Sequence, residues 1–278
     1  MAKECSNTSC SKESCEGCPS RQGGGIPKEV LNIYSEIGHV VGVVSGKGGV
    51  GKSFATASLA NQLAKKGFRV GILDADITGP SIPKMYGLKG PARMADEENN
   101  ILPLITENGV KVMSINLLLP DEEEPVIWRG PVLANMVKQF WTDVVWGELD
   151  YLLVDMPPGT GDVPLTVFQS LPVDGIYIVS SPQDLVRMIV TKAVRMAEKL
   201  NVPILGLIEN YSYIACPDCG KRITVFGESH IDEIGQSLGI DVLGKVPIDP
   251  DFAAAADRGG FAEVDNIYVA GAIDKLPR

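Results

Sequence analysis

The sequence of 278 residues predicts an α/β protein built on a doubly wound, mostly parallel sheet, and three observations carry that expectation. Short apolar runs alternate with helical stretches from residue 39 onward, a glycine-rich loop follows the first run, and two later runs end in aspartates. Strands covered by helices on both faces read as unbroken apolar segments, and such sheets gather their ligands at the strands' carboxyl ends.

In chain order, residues 1–25 are polar, rich in Ser, Cys and Gly, and end in Gly23-Gly24-Gly25, which predicts a flexible cysteine-rich arm with no core of its own. Residues 26–278 form the main domain. Its apolar runs are Val40–Val44, Val70–Leu73, Tyr151–Val154, Ile176–Val179, Ile204–Ile208 and Val242–Val246, each read as a strand buried on both sides. The turn signal Glu107-Asn108-Gly109, between Ile101–Leu104 and Val110–Asn116, predicts a hairpin inserted beside the main sheet. A helix is expected over Pro131–Gly147, with Trp128, Trp141 and Trp146 packed around it. The acidic run Asp121–Glu124 after Pro120 reads as a solvated loop. His39 is expected just before a core strand and His230 in a helical stretch, neither with partners that suggest catalysis.

Residues 46–53 read Gly46-Lys47-Gly48-Gly49-Val50-Gly51-Lys52-Ser53, the G-x-x-x-x-G-K-S pattern placed between an apolar run and a helix. Glycines at these positions let backbone N–H groups curl around phosphate oxygens, and the dipole of the helix starting near Lys52 adds positive potential. Lys52 is then expected on the β and γ phosphates and the Ser53 hydroxyl on a magnesium ion. Leu73-Asp74-Ala75-Asp76 delivers two carboxylates to the same edge: Asp76 is read as orienting the attacking water and Asp74 as supporting the magnesium shell, or as capping the following turn. Asp155, at the end of Tyr151–Val154, is the second carboxylate expected of such a site, holding a water on magnesium. The rigid-then-flexible sequel Pro157-Pro158-Gly159-Thr160-Gly161-Asp162 is a candidate nucleotide-sensing loop.

A formal net charge of −10 opposes binding to nucleic acid phosphates or an anionic membrane, so neither partner is expected. The start of the chain lacks an apolar signal-peptide core, and no run of about 18 apolar residues occurs, so a cytosolic protein is expected. In that compartment six cysteines in two tight groups read as metal ligands or redox groups rather than structural disulfides.

Taken together, residues 46–53, Leu73-Asp74-Ala75-Asp76-Ile77-Thr78-Gly79-Pro80-Ser81, Asp155–Asp162, Glu209-Asn210-Tyr211-Ser212 and Cys216-Pro217-Asp218-Cys219-Gly220 resemble the Mrp/ApbC family of cytosolic iron-sulfur carrier ATPases. That family lies within the deviant P-loop (SIMIBI, MinD/ParA-like) group, and the likeness runs from about His39 to about Gly260. The resemblance implies a homodimer with two ATP molecules between facing subunits, low ATP hydrolysis, and transfer of 4Fe-4S clusters from a donor to apoproteins. It further implies that Lys47 contacts the partner's nucleotide, a cation supplied in trans much as an arginine finger is. Asn210, at a strand end, is implied to contact adenine, which suits an amide that both donates and accepts.

The pair Cys216 and Cys219 aims two thiolates at one metal but does not complete a four-ligand site. The missing ligands must come from the arm or from the same pair on a second subunit across a twofold axis. Spacing alone fits zinc equally well, and the family resemblance tips the choice to a bridging 4Fe-4S cluster. The flanking pattern of the pair is not that of a redox dithiol at a thioredoxin helix start. Cys5, Cys10, Cys15 and Cys18, spaced C-x4-C-x4-C-x2-C, read either as a second cluster site, as some relatives carry, or as a loosely structured thiol arm. Two other functions share the loop: a positioning ATPase of the MinD or ParA kind, and a zinc-clasped structural dimer. The tail Asn266–Arg278 lacks the basic amphipathic character that a membrane-cycling ATPase needs.

Overall fold

A computed structural model describes residues 28–76, 81–94, 100–118, 130–183 and 186–278. Its strands, in chain order, are β1 (Glu36–Ser45), β2 (Val70–Asp74), β3 (Arg93–Met94), β4 (Ile101–Leu102), β5 (Leu104–Ile105), β6 (Lys111–Ser114), β7 (Glu148–Asp155), β8 (Gly175–Ser180), β9 (Ile204–Glu209), β10 (Ile214–Ala215), β11 (Arg222–Ile223) and β12 (Val242–Lys245). The helices are α1 (Lys52–Lys65), α2 (Ile82–Met85), α3 (Gly130–Thr142), α4 (Asp162–Ser170), α5 (Val186–Lys199), α6 (Ile231–Leu238), α7 (Pro250–Asp257) and α8 (Ala270–Ile273).

Eight strands join in the order β12-β9-β8-β1-β7-β2-β6-β5, parallel throughout except for β5 against β6. Side chains alternate across β1, so Val40 and Val44 enter one core with Leu152, Val154, Phe140 and Val167, while Val41 and Val43 enter the other with Leu153, Leu59 and Leu63. Helices α3, α4, α5 and α6 cover the first face; α1, α2 and α8 cover the second. The six apolar runs of the sequence are all strands of this sheet, though β12 stops at Lys245 and Val246 lies just beyond it. The doubly wound architecture is therefore the one the alternation predicted.

Three expectations need correction. The hairpin around Asn108 is not an insertion beside the sheet: β6 pairs in parallel with β2, and only β5 folds back on it. Ile101–Leu102 instead pairs antiparallel with Arg93–Met94, and the chain meets β6 only from Leu104, after Pro103. The helix expected to reach Gly147 ends at Thr142. Trp146 sits in the connection that follows, fully buried, its indole N–H donating to the Phe140 carbonyl at 3.0 Å. His39 lies within β1 rather than before it, stacked on Tyr151 and 3.5 Å from Asp174. His230 precedes α6, exposed, 3.3 Å from Glu233. Trp128 and Asp121–Glu124 lie outside the described residues.

Lys28 ties the start of the described chain beneath the sheet. Its ammonium donates to the Phe168 and Leu171 carbonyls at 2.6 and 2.7 Å, satisfying free carbonyls at the end of α4. No helix among the described residues is long and apolar enough to cross a membrane.

Candidate nucleotide site and cysteine hairpin

The loop of residues 46–51 leaves β1 at the carboxyl edge and turns into α1 through Gly51, whose φ of 79° lies in the left-handed region. Two facts reserve that position for glycine: its φ, and the Asn210 amide nitrogen, which a Cβ there would approach to 2.0 Å. A cavity of about 310 Å³ opens over the loop, lined by Gly48, Lys52, Ser53, Asp76, Pro158 and Tyr211.

Beneath it the charged groups converge. Asp74 and Asp155 are register partners on β2 and β7, both fully buried. The Lys52 ammonium lies 2.8 Å from Asp155 and 3.4 Å from Asp76. Ser53 donates its hydroxyl to one Asp155 oxygen at 2.5 Å, and Thr56, one helical turn after Lys52, donates to the other at 2.8 Å. Burial opposes the charge on Lys52, but Asp155 and Asp76 outweigh it and hold its pKa above the ordinary lysine value. Burial raises the Asp74 pKa well above the usual carboxylate range, and the neighbouring Asp155 charge adds to the shift.

Asp74 combines both roles weighed from the sequence. One oxygen caps the turn, accepting from the Asp76 N–H at 3.2 Å, while the other is buried with no hydrogen-bond partner. β2 ends at Asp74, so the strand alternation expected to align Asp74 with Asp76 does not extend that far; the turn brings Asp76 to Lys52 instead. These hard oxygen donors, with carboxylates outnumbering the one buried cation and an orphaned oxygen on Asp74, fit a magnesium ion.

Lys47 is half-buried, and its ammonium rests on the Gln183 side-chain carbonyl in the loop after β8. Asn210, just past β9, is buried and donates to the Val50 carbonyl at 3.0 Å, so its donor side braces the phosphate loop. Gly159, in the loop after β7, donates its N–H to the Ser45 carbonyl at 2.8 Å and so ties that loop to the end of β1.

Cys216 and Cys219 sit on a hairpin closed by β10 and β11. The Cys216 N–H donates to the Lys221 carbonyl and the Gly220 N–H to the Cys216 carbonyl, each at 2.9 Å. Backbone N–H groups of Cys219 and Asp218 lower the Cys216 thiol pKa, favouring the thiolate that binds metal. Both thiols are free; Cys216 is half-buried and Cys219 exposed, and Ile223, Val225 and Phe226 beside them are also exposed. Among the described residues no group of three or more His, Cys, Asp or Glu is gathered for a metal, so one protomer's hairpin offers two ligands. Cys5, Cys10, Cys15 and Cys18 lie outside the described residues.

The sequence reading missed Thr56, Tyr211 and Gln183. Thr56 was legible as Lys52 plus four on one helical face. Tyr211 stands in the Glu209–Ser212 segment already singled out, though nothing local gave it a role, and nothing local marks Gln183; the sheet order brings both to the loop.

This loop, with its buried lysine and paired aspartates at the carboxyl edge of a parallel sheet, defines a P-loop NTPase of MinD/ParA architecture. The chain is similar over 86% of its length to the cell-division ATPase MinD of Pyrococcus furiosus, of which it covers 98%, at 20% identity and a TM-score of 0.62, a likeness of fold. It belongs to the ParA family described as NUBPL iron-transfer P-loop NTPase, whose model matches residues 36–275. A nucleotide-binding protein from Archaeoglobus fulgidus, solved in complex with ADP, is 46% identical, with a TM-score of 0.73 over 82% of this chain and 88% of that one. The iron-sulfur cluster carrier protein of Clostridium perfringens is 47% identical over 268 residues, 93% of this chain and 92% of its own. That of Methanocaldococcus jannaschii is 46% identical over 254 residues, 88% and 87%.

Proposed function

We propose that this P-loop ATPase is a homodimeric carrier that takes up 4Fe-4S clusters from a donor and passes them to apoproteins, with ATP binding and slow hydrolysis governing the exchange. The observation that carries the reading is the cysteine hairpin: two free thiols beside the exposed apolar side chains of Ile223, Val225 and Phe226, with Cys216 six residues after Asn210, which bonds the phosphate loop. Two ligands and an uncovered apolar rim suit a site completed by a second copy across a twofold axis. The similarity to iron-sulfur cluster carrier proteins supports the cargo. The shared fold alone would equally suit a positioning ATPase, but those relatives lie near 20% identity, against 46–47% for the carriers.

In the nucleotide site, Gly46, Gly48, Gly49, Val50 and Gly51 present backbone N–H groups to the phosphates. Lys52 exchanges its Asp155 contact for the β and γ oxygens, and Asp76, freed of Lys52, accepts a proton-bearing contact from the attacking water. Ser53, Asp74 and Asp155 would hold magnesium, which when bound neutralises charge developing between the phosphates. Lys47 leaves Gln183 and serves the partner's nucleotide. The Asn210 carbonyl oxygen accepts from the adenine amino group while its nitrogen keeps Val50 in place. The Pro157–Asp162 loop follows the γ phosphate through the Gly159 tie to Ser45. Residues 1–25 form the arm, in which Cys5, Cys10, Cys15 and Cys18 bind a second cluster, and residues 26–278 the ATPase domain, acting in the cytosol.

The test is anaerobic reconstitution with iron and sulfide, followed by metal counting, spectroscopy and sizing, on wild type and on Cys216→Ala with Cys219→Ala. The double variant should lose about half its iron or more and its cluster-dependent dimer. Unchanged iron would overturn the bridging site; stoichiometric zinc in anaerobically purified wild type would replace the cluster by a zinc clasp.

A further inference from the structure

We propose that Glu209 is a positioning residue that transmits the state of the phosphate loop to the cysteine hairpin, by clasping both ends of the excursion that carries Cys216 and Cys219. The inference rests on the carrier reading above and assigns the link between its two sites.

Glu209 ends β9 and is 1% exposed. One carboxylate oxygen accepts from the Ser212 hydroxyl, just before the excursion; the other accepts from the Ser229 hydroxyl at 2.7 Å, just after it. Ser229 Oγ in turn accepts the Ile231 N–H at 3.3 Å, so the clasp also anchors the first turn of α6. No cation pairs with Glu209 among the described residues' ion pairs. A carboxylate buried this deeply costs several kcal/mol unless its oxygens are satisfied, so the two serines are held to it tightly. Because an ionised carboxylate only accepts, both hydroxyls must donate inward, which fixes their rotamers.

The other end of the link is the phosphate loop. Next to Glu209, Asn210 bonds the Val50 carbonyl through its side chain and the Ser180 carbonyl, at 2.8 Å, through its backbone. Tyr211 follows with φ at 59°, a left-handed conformation uncommon outside glycine, and lines the cavity over the loop. Ser212 and Tyr213 then bond Val246 and Ile248 at 2.9 and 2.7 Å, and Arg222, on the strand returning from the cysteines, lies over the Tyr213 ring at 4.5 Å. From Val50 to Cys216 the path is therefore one short run of chain, bonded at nearly every residue. Displacing Val50 and Gly51 displaces Asn210 and Tyr211, and the Glu209 clasp carries that shift across to Ser229 at the far end of the excursion.

The experiment measures alkylation of Cys216 and Cys219 by iodoacetamide in the reduced full chain, read by mass spectrometry of the peptide that carries them, with and without MgATP. Wild type should show a nucleotide-dependent rate change on the order of fivefold or more. Ser229→Ala should bind ATP within twofold of wild type and melt within a few degrees of it, yet lose the nucleotide response; Ser229→Thr, which keeps the hydroxyl, should restore it. A full response in Ser229→Ala overturns the clasp while leaving the carrier reading intact. A wild type whose cysteines ignore ATP overturns the coupling in both.

Discussion

Replacing Gly51 by alanine isolates the contact between the phosphate loop and Asn210. At φ 79° an L-residue costs about 1–2 kcal/mol. The added methyl carbon would stand 2.0 Å from the Asn210 amide nitrogen, so that amide must leave the Val50 carbonyl, and a buried donor left unpaired costs about 1–3 kcal/mol more. The sum, about 2–5 kcal/mol, is a large share of the ~5–15 kcal/mol that holds a domain folded. At about 2–4 °C per kcal/mol for a chain of this size, the melting temperature should fall by roughly 4–20 °C. Nucleotide-free protein followed by circular dichroism in heat and urea gives the value. The partner variant Asn210→Ala removes the obstructing amide, so in its background Gly51→Ala should cost only the backbone share of about 1–2 kcal/mol. Strictly additive losses, or a Gly51→Ala cost below 1 kcal/mol, would refute the contact as the cause.

Other outcomes follow from the same charges. Asp74→Asn should stabilise the metal-free protein at neutral pH and abolish ATPase activity: the folded pKa of Asp74 is raised, so the stability available below its unfolded value near 3.9 is lost as pH rises through the folded one, and asparagine removes that loss. Urea titrations from pH 4 to 8 read the flattened profile. Lys52→Met strands buried Asp74 and Asp155 without their cation and should destabilise by about 3–5 kcal/mol at pH 7, with loss of nucleotide binding by calorimetry. Because the folded pKa of Lys52 is raised, its pairing is complete below about 10.4 and fails only as pH climbs through that raised value, so wild type should hold this contribution across the neutral range. Lys47→Ala, at a half-buried loop position whose ammonium meets Gln183, should leave melting within about 1 kcal/mol of wild type yet slow hydrolysis by about a thousandfold, measured as phosphate release.

The strands and the loop were legible because both are local signals: unbroken apolar runs for buried parallel strands, and a fixed glycine spacing for an anion-cradling turn. Lys52, Ser53 and Asp155 came with them, since an aspartate ending an apolar strand beside that loop has one edge to occupy. Glu209 ends Ile204–Ile208 in the same way, so its placement at that edge was readable; its serine partners were not, because Ser229 comes to it only through the closing of the cysteine excursion. Asp76 shows the limit of periodicity: β2 stops two residues earlier, and a turn capped by Asp74 sets its direction. Asn210 shows the limit of residue type: an amide at a strand end can face a base, brace a backbone or do both, and its bond to Val50 depends on the approach of a loop 160 residues away in sequence.

The anchor of Lys28 under α4 sets how far the preceding chain can reach. β1 alone, at ten residues, is about 33 Å from foot to rim, and ten residues of chain stretch to at most about 36 Å. Cys216 and Cys219 stand past the carboxyl rim, so any ligand supplied to them from ten residues before Lys28 of the same protomer would have to span the full height of the sheet.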